Sequence, residues 1–319
     1  MNMEVLEPGL LTTVQDCGRH GYRHLGVGQS GVLDSFSAAV ANILVGNSPG
    51  SPLLEMTLRG PVVRFSVPVR IAICGAGIDA HCGDLVLPLW RRIDLAADST
   101  LRFGACRSGA RAYLAVNGGF EINPLLGSAS TDLRAGFPGL AGRQLQAGDR
   151  VRLAHGLRPD CAEPRIARSW ANPSPELDLK EPALVRLLPG SDQLADGDVL
   201  HATAWTIGSA SNRQGLRLSG ASLRLRQPRE AISEPVMPGT LQLPADGNPI
   251  LLLADAQTHG GYPRIGHAIR ADWPRLAQLR PGERVYFVPC TLEQAASLWR
   301  SQQQGLARLA IAVSQADQA

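Results

Sequence analysis

The chain has 319 residues, of which 44% are apolar and 18% charged, a balance that is typical of a globular protein and excludes a disordered one. Its 31 basic and 28 acidic residues leave a net charge of only +3, which gives no support for a nucleic-acid partner or an acidic membrane surface. The 34 glycines and 23 prolines, with only 5% aromatic residues, favour many short strands over long helices.

The N-terminal stretch MNMEVLEPGLLTTVQD contains acidic residues and no apolar core, so we do not expect a signal peptide. The longest uncharged run, residues 35–54, is interrupted by serine, asparagine, glycine and proline and is not expected to cross a bilayer. Six scattered cysteines without a CxxC pair are typical of reduced thiols. These features predict a cytoplasmic protein with no membrane association.

The first candidate site is the glycine-rich segment 12–34, TTVQDCGRHGYRHLGVGQSGVLD. Glycines allow a backbone to approach a ligand closely, and here Arg19 could orient a carboxylate and Asp16 a reacting amide. The alternative is a surface loop in which this acid and this base pair with each other. His20 and His24 have a spacing that suits a metal only on a helix, which the glycines disfavour, so no metal site is predicted.

The front half then continues with a helix and several strands. In LDSFSAAVANILVGN, Asp34 is the expected N-cap and Gly46-Asn47 the expected stop. A second glycine-rich segment, residues 117–149, contains Ser128 and Thr131 beside two arginines, which could hold a carboxylate or phosphate. The segment lacks the GxxxxGK[ST] motif of a P-loop, and a solvated loop explains it as well as a binding site does. The strands are predicted from short apolar or alternating runs: VRIAICGAGIDAHC, LVLPLWRRIDLAA and ARAYLAVNGG.

Residues 156–182 contain five prolines and little apolar periodicity, so they predict a linker or an extended crossing segment. They divide the chain into domains at 1–155 and 183–319. The turns LQAGDRVRL and LRPGERVYF stand near the end of each half with the same spacing and suggest two similarly built β domains.

The rear half offers two further candidate sites. In SASNRQGLRLSG, Ser211, Asn212 and Arg213 precede a strand and could bind an amide or carboxylate, or could simply form a turn. In LLLADAQTHGGYPRIG, an apolar strand leads into polar residues, and local chemistry allows either a turn or a pocket. A short helix is predicted in ADWPRLAQL, and a C-terminal helix begins with a capping box in TLEQ and ends at Gly305.

Taken together and in order, motifs between residues 5 and 287 resemble the family of 5-oxoprolinase C subunits, also described as biotin-dependent carboxyltransferase, allophanate hydrolase subunit 2 or KipA-like. The motifs that carry the resemblance are GLLTTVQDCGRHGYRHLGVGQSGVLD, YLAVNGGFEINPLLGSASTDLRAG, SNRQGLRLSG and SEPVMPGTLQLPADGNPILLLADAQTHGGYPRIG. The resemblance implies a mainly β, cytoplasmic protein of two cyclophilin-like β-barrel domains with a few short helices and a cleft between the domains.

The resemblance also implies an activity: hydrolysis of 5-oxoproline to glutamate, driven by ATP, in a heteromeric complex with the A and B components of 5-oxoprolinase, of which the B component is KipI-like. The chain is then an enzyme subunit that is inactive alone. One alternative is a carboxyltransferase that moves a carboxyl group from carboxybiotin to urea or a similar small amide, although the sequence lacks an AMKM biotin site. The other is a KipA-like, non-enzymatic antagonist of a kinase-inhibitor protein.

In both enzymes the substrate is a small, poorly reactive amide, so a carboxylate is needed to move a proton or position water, and N–H donors are needed to steady an oxyanion. The resemblance places Asp255 and Asp16 as catalytic candidates. The predicted substrate-binding residues are Arg213, Asn212, Ser211, Gln257, Thr258, Tyr262, Arg19, Ser128 and Thr131.

The sequence departs from the usual pattern of the family at several of these motifs. Gly208 stands where serine is usual, Gln214 where methionine is usual, His259 where threonine is usual, and Ala129 where arginine is common. These departures leave the scaffold prediction unchanged and make a different small amide an open alternative for the substrate.

Overall fold

A computed structural model describes residues 2–156, 159–172, 177, 179, 182–227 and 232–316 of the chain. The prediction of a mainly β protein is confirmed, since the described strands form a ten-stranded sheet, a closed seven-stranded barrel and a small two-stranded sheet. The chain divides into two compact units. Unit 1 comprises Met1–Arg19, Asp34–Pro175 and Gln303–Ala319, and unit 2 comprises His20–Leu33 and Glu176–Gln302.

The units follow the predicted domains only in part. Residues 20–33 group with unit 2 although they precede most of unit 1, and residues 303–319 group with unit 1. Burial and hydrogen bonding define a compact unit, and neither has to follow chain order. The domain boundaries at 155 and 183 stay a prediction.

The sheet of unit 1 is antiparallel and is organised by two long strands that pair along most of their length. Its strands are β1 (Asn2–Glu7), β2 (Leu11–Gln15), β3 (Leu53–Thr57), β4 (Val62–Phe65), β5 (Val69–Cys82), β6 (Leu85–Val86), β7 (Arg92–Leu95), β8 (Thr100–Val116), β9 (Arg150–Arg152) and β10 (Arg165–Ile166). One end of β8 pairs with β4 and the other with β3. Alternate residues such as Met3, Val5, Ile71 and Leu114 are fully buried, as expected for strands with one face on a core.

Helix α1 (Ser35–Leu44) belongs to unit 1 and begins as predicted. The Asp34 carboxylate accepts hydrogen bonds from the Ser37 N–H (2.8 Å) and the Ser37 hydroxyl (2.5 Å), which satisfies one of the free N–H groups at a helix start. Gly46 adopts φ +83° just after the last turn, a conformation that favours glycine and ends the helix.

The barrel of unit 2 closes through one parallel strand pair, β11 with β19, among antiparallel neighbours. The strands of this unit are β11 (Ala183–Pro189), β12 (Trp205–Ile207), β13 (Gly215–Ser219), β14 (Glu234–Pro235), β15 (Thr240–Gln242), β16 (Ile250–Leu252), β17 (His259–Gly260), β18 (Arg264–Ala268) and β19 (Arg284–Pro289). Trp205, Val185, Leu241 and Leu251 fill its core with no or almost no exposed surface. Strands β14 and β17 pair with each other outside the barrel.

Two short helices, α2 (Gly197–Ala202) and α3 (Trp273–Gln278), accompany the barrel. The second is the helix predicted in ADWPRLAQL. The predicted pair of equivalent turns is also present. In the first, Gly148 has φ +86° and the Asp149 carboxylate accepts the Gln146 N–H at 2.7 Å. In the second, Gly282 has φ +90° and the Glu283 carboxylate accepts the N–H three residues earlier at 2.8 Å.

The last helix, α4 (Leu292–Ala316), confirms its predicted start and corrects its predicted end. Thr291 and Gln294 exchange the reciprocal side-chain hydrogen bonds of a capping box. The helix does not end at Gly305 but continues for eleven further residues. Residues 306–316 are rich in alanine and leucine, and a solvent-facing glycine costs only about 1 kcal/mol in such a helix. Each helix in the described part of the chain is too short or too polar to span a membrane.

The helical conformation of Gly305 and the positive φ of Gly282 predict opposite effects of an alanine substitution on stability. Gly305→Ala should raise the free energy of unfolding by about 0.5–1 kcal/mol, because the position is helical and a Cβ there meets nothing within 4 Å. Gly282→Ala, also in open space but at φ +90°, should lower it by about 1 kcal/mol. Urea denaturation followed by circular dichroism measures both. A loss of stability in Gly305→Ala would show that the helix ends there.

Candidate functional site

The central feature of the candidate site in unit 2 is an ion pair between Arg213 and Asp255. Arg213 Nε lies 2.8 Å from Asp255 Oδ2, and Arg213 Nη2 lies 3.1 Å from Asp255 Oδ1, so the contact is bidentate. The two side chains are only 5% and 8% exposed. The Asp255 N–H also donates to the Arg213 carbonyl at 3.0 Å. Such a pair is geometrically specific because both partners are planar.

Strand pairing explains why these two residues meet. Arg213 precedes β13 and Asp255 follows β16, and the two strands are antiparallel with Gly215 opposite Leu252. The residue before one strand and the residue after the other therefore lie at the same end of the barrel. Strand β16 thus leads into a turn at residues 254–255 that brings Asp255 to this cluster, and the choice between an ordinary polar turn and a pocket stays open.

The segment from residue 20 to 33 forms one side of this cluster. Arg213 Nη2 donates to the Gly31 carbonyl at 2.6 Å, and the Ser30 N–H donates to the Ala254 carbonyl at 3.1 Å. Ser30 is 2% exposed and has φ +55°, an uncommon conformation for a residue other than glycine. Its hydroxyl has no hydrogen-bond partner among the described residues. Ser30 lies in the glycine-rich segment 12–34, and that position is its only signal in the sequence.

Ser211 and Asn212 use their side chains inside their own turn. The Asn212 carbonyl oxygen Oδ1 accepts the Gln214 N–H at 2.8 Å, and Ser211 Oγ accepts the Arg217 N–H at 3.0 Å. Asn212 is exposed. This arrangement agrees with the turn alternative for the local structure, and the predicted contact of both residues with substrate stays a prediction.

Gln257, Thr258 and Tyr262 follow Asp255 in the chain and lie on either side of the short strand β17 (His259–Gly260). The Thr258 carbonyl accepts the Val236 N–H at 2.9 Å, and the Thr258 hydroxyl lies 3.0 Å from His259 Nδ1. Thr258 is 9% exposed, whereas Tyr262 is 47% exposed. The loop therefore has a buried base and an open edge, and its role in lining a pocket stays a prediction.

The candidate residues from the front half form a separate cluster in unit 1, centred on Asp16. The carboxylate accepts four hydrogen bonds, from the Gly18 N–H (2.8 Å), Ser128 Oγ (2.6 Å), Ser130 Oγ (2.6 Å) and the Ala129 N–H (2.6 Å). A carboxylate offers about four acceptor sites, so these bonds nearly fill it. The cluster holds the loop of residues 128–130 against the end of β2. The proposed catalytic role of Asp16 is untested by this geometry.

Arg19 and Thr131 complete this cluster in unit 1. Arg19 is 1% exposed, donates to the Ser130 carbonyl and stacks over the Phe137 ring with its Cζ 5.0 Å from the ring centre. The Thr131 hydroxyl donates to the Val14 carbonyl at 2.9 Å. Both side chains pack the loop, and their predicted contact with substrate stays a prediction.

Two further polar residues of unit 2 were missed from the sequence. Arg23 lies in the glycine-rich segment, where its flanking glycines were a weak signal. Gln242 is the last residue of β15 and is 1% exposed, and it interrupts an apolar run, TLQLP. A polar residue at a core position of a strand was the available signal, because such a group must find a partner or a ligand.

The residues of this chain do not fit a nucleotide site of the P-loop kind. The single lysine of the sequence, Lys180, stands in DLKEP and follows no glycine-rich loop. The sequence therefore offers no P-loop for the phosphates of ATP.

Comparison with known proteins now identifies the family. A family model described as carboxyltransferase domain, subdomain A and B, matches residues 25–289. The chain belongs to this carboxyltransferase family. The resemblance to 5-oxoprolinase C subunits that the motifs indicated is confirmed, because the chain is 38% identical over 313 residues to the 5-oxoprolinase C subunit of Escherichia coli strain K12, with 97% of each chain covered.

Other relatives are larger proteins. The chain is 28% identical over 319 residues to urea amidolyase of Saccharomyces cerevisiae and spans 17% of its length. Among solved structures, the urea amidolyase of K. lactis matches with a TM-score of 0.88 and 29% identity, covering 97% of this chain and 20% of the other. The structure of TTHA0988 matches with a TM-score of 0.77 and 37% identity, covering 90% of this chain and 55% of the other.

The buried ion pair predicts a strongly non-additive mutational cycle. Arg213→Met or Asp255→Leu alone should lower the free energy of unfolding by about 3–5 kcal/mol, because each leaves the other charge buried without its ion-pair partner. The double variant should lose less free energy of unfolding than the two single variants lose together. The exposed pair Arg102–Glu7 is the control, and its coupling should stay below about 1 kcal/mol. Equal coupling in the two cycles, measured by urea denaturation, would contradict this interpretation.

Proposed function

We propose that this chain is the C component of an ATP-dependent 5-oxoprolinase, which hydrolyses 5-oxoproline to glutamate together with the A and B components of the enzyme. The observation that carries the proposal is the alignment with the 5-oxoprolinase C subunit of Escherichia coli, which covers 97% of both chains at 38% identity. A second protein of the same name, from Haemophilus influenzae, is 35% identical and is covered over 94% of its length. The urea amidolyases and the urea carboxylase are more distant, at 28–31%.

The chemistry of unit 2 is compatible with this reaction. Opening a five-membered lactam requires activation of its carbonyl group, attack by water and protonation of the leaving nitrogen. Asp255 is the proposed acid/base, and the bidentate contact with Arg213 holds its carboxylate in one orientation. Ser30, whose buried hydroxyl is adjacent in the chain to the Gly31 carbonyl that Arg213 binds, is available to donate to or accept from the amide.

The remaining parts of the reaction are assigned to the assembly. ATP would phosphorylate the lactam oxygen and so break the amide resonance, but the residues of this chain do not fit a P-loop site, so we assign nucleotide binding to the other components. The isolated chain is then inactive. A cytoplasmic location, expected from the sequence, is part of the same proposal.

A carboxyltransferase acting on urea or a similar small amide is the second candidate. The match to the carboxyltransferase domain over residues 25–289 and the TM-score of 0.88 to the urea amidolyase of K. lactis favour it. This candidate requires carboxybiotin carried by another domain or chain. A KipA-like antagonist remains a prediction from motif resemblance alone.

The decisive assay uses the assembled proteins. The chain is co-purified with the A and B components, and glutamate release from 5-oxoproline is measured with and without ATP. We expect turnover only when all three proteins and ATP are present. A fully assembled complex that releases no glutamate, yet carboxylates urea when supplied with carboxybiotin, would replace the first candidate with the second.

The proposed role of Asp255 predicts a specific kinetic defect. Asp255→Asn keeps the size of the side chain and removes its proton-accepting charge, so kcat for 5-oxoproline should fall by about a hundredfold or more. Asp246→Asn, an exposed turn residue of the same unit, is the control and should leave kcat unchanged. Co-purification of each variant with the A and B components separates a catalytic defect from failed assembly. Unchanged kcat in an assembled Asp255→Asn complex would remove Asp255 from the mechanism.

A further inference from the structure

Arg23 carries a positive charge that no carboxylate neutralises in the described part of the chain. It belongs to unit 2 and lies at the start of a short 3-10 turn, residues 23–25. One of its terminal nitrogens, Nη2, donates to the carbonyls of Val236 and Gln257, the latter at 3.0 Å. The other, Nη1, is buried and has no hydrogen-bond partner among the described residues. Burial lowers the pKa of Arg23 from its ordinary value, although an arginine stays protonated.

Gln242 supplies a second buried N–H donor that has no hydrogen-bond partner among the described residues. Its side chain is 1% exposed, and the donor is its amide nitrogen Nε2. A buried donor without a partner costs about 1–3 kcal/mol, so such a group calls for a ligand or a water.

Gly260 lies close to the amide nitrogens of Gln242 and Gln257. A Cβ built on Gly260 would lie 3.0 Å from Gln242 Nε2, 3.4 Å from Gln257 Nε2 and 3.7 Å from a methyl of Val236. The two amide nitrogens therefore border the space beside Gly260 where a side chain is missing. Arg23 binds the backbone carbonyls of two residues whose side chains also lie beside this position, Val236 and Gln257.

The charges around the space favour an anion. Glu234, the acidic residue of the adjacent β14, is bound by Arg264 and does not offset Arg23. His259, on β17, lies beside Thr258. Two amide N–H groups thus border the space, and the Arg23 guanidinium lies on the backbone of the adjacent Val236 and Gln257. His259 and Tyr262, in the same loop, are exposed.

We propose that Arg23, Gln242 and Gln257 form a carboxylate-binding site beside Gly260, and that this site takes the carboxylate of the small amide substrate. The inference rests on the proposed function for the identity of the amide, since 5-oxoproline has a carboxylate and urea has none. Charge-assisted hydrogen bonds from a guanidinium are well suited to a carboxylate. A side chain at 260 would press against both amide nitrogens, so a glycine here leaves them free to turn toward a ligand.

Such a site would also distinguish the substrates of related proteins. The relatives named as 5-oxoprolinase C subunits and those named urea amidolyase are 28–38% identical to this chain. Recognition of a buried charge is a strong discriminator, because a site built for it leaves its donors unpaired when the charge is missing. His259 lies in the same loop and is exposed.

The experiment compares two ligands that differ only in the carboxylate. 5-Oxoproline and 2-pyrrolidinone are titrated by isothermal calorimetry into the full chain and into the assembly with the A and B components without ATP. We expect 5-oxoproline to bind about tenfold to a hundredfold tighter, the value of one or two charge-assisted hydrogen bonds. Arg23→Gln and Gln242→Leu should reduce the affinity for 5-oxoproline to that for 2-pyrrolidinone.

Two further variants separate loss of the site from loss of the fold. Gly260→Ala leaves the charge of Arg23 in place and presses a methyl group against both amides, so it should weaken 5-oxoproline binding by a similar factor. Arg300→Gln removes an exposed charge of the same unit, on α4, and should change nothing. Melting curves identify any variant that fails to fold.

The outcomes also separate this inference from the proposed function. Equal affinity of the two ligands, or no difference between Arg23→Gln and Arg300→Gln, overturns the carboxylate site even when the assembly turns over 5-oxoproline. The absence of 5-oxoproline binding in both preparations overturns it as well. Carboxylate-dependent binding in an assembly that releases no glutamate supports the site and contradicts the proposed reaction.

Discussion

The contact between Arg213 and Asp255 is the constraint on which the candidate site of unit 2 depends. Two charged groups with exposures of 5% and 8% are stable only when they face each other with good geometry, because removing both from water costs several kcal/mol per ion. The antiparallel register of β13 and β16 supplies that geometry. Arg213 then holds the carbonyl of Gly31, so the same guanidinium fixes the glycine-rich segment that contains Ser30 and Arg23.

Both clusters of candidate residues combine satisfied polar groups with buried polar atoms that have no hydrogen-bond partner among the described residues. In unit 1, the Asp16 carboxylate receives four hydrogen bonds from its own neighbourhood, which is the pattern of a loop clamp. In unit 2, the Ser30 hydroxyl, one nitrogen of Arg23 and the amide of Gln242 are buried without partners among the described residues. Buried polar atoms are nearly always paired, so these atoms of unit 2, like the buried Gln15 Oε1 beside Asp16 in unit 1, mark places where a ligand or a water would complete the hydrogen bonding.

Local chemistry in the sequence determined much of the architecture. Short alternating runs predicted a mainly β chain, Asp34 and Thr291 marked helix starts, and two G-D/E-R-V turns were found with matching hydrogen bonds. These features depend on residues within a few positions of one another, so a single sequence contains the information. The order of motifs likewise identified the family. The end of α4 was misread, because a glycine in open space is compatible with either a helix end or a helix interior.

Only the tertiary structure decided which polar residues meet and which are satisfied. Arg213 and Asp255 are 42 positions apart, and Arg23 is more than 200 positions from the carbonyls it binds. Strand register and chain packing create these contacts, and neither can be predicted from the spacing of residues along the chain. The sequence could nominate Asp16 and Asp255 equally, since both are aspartates at the ends of apolar strands. The structure gives each aspartate its own partners from distant parts of the chain: Ser128, Ser130 and the Ala129 N–H for Asp16, and Arg213 for Asp255.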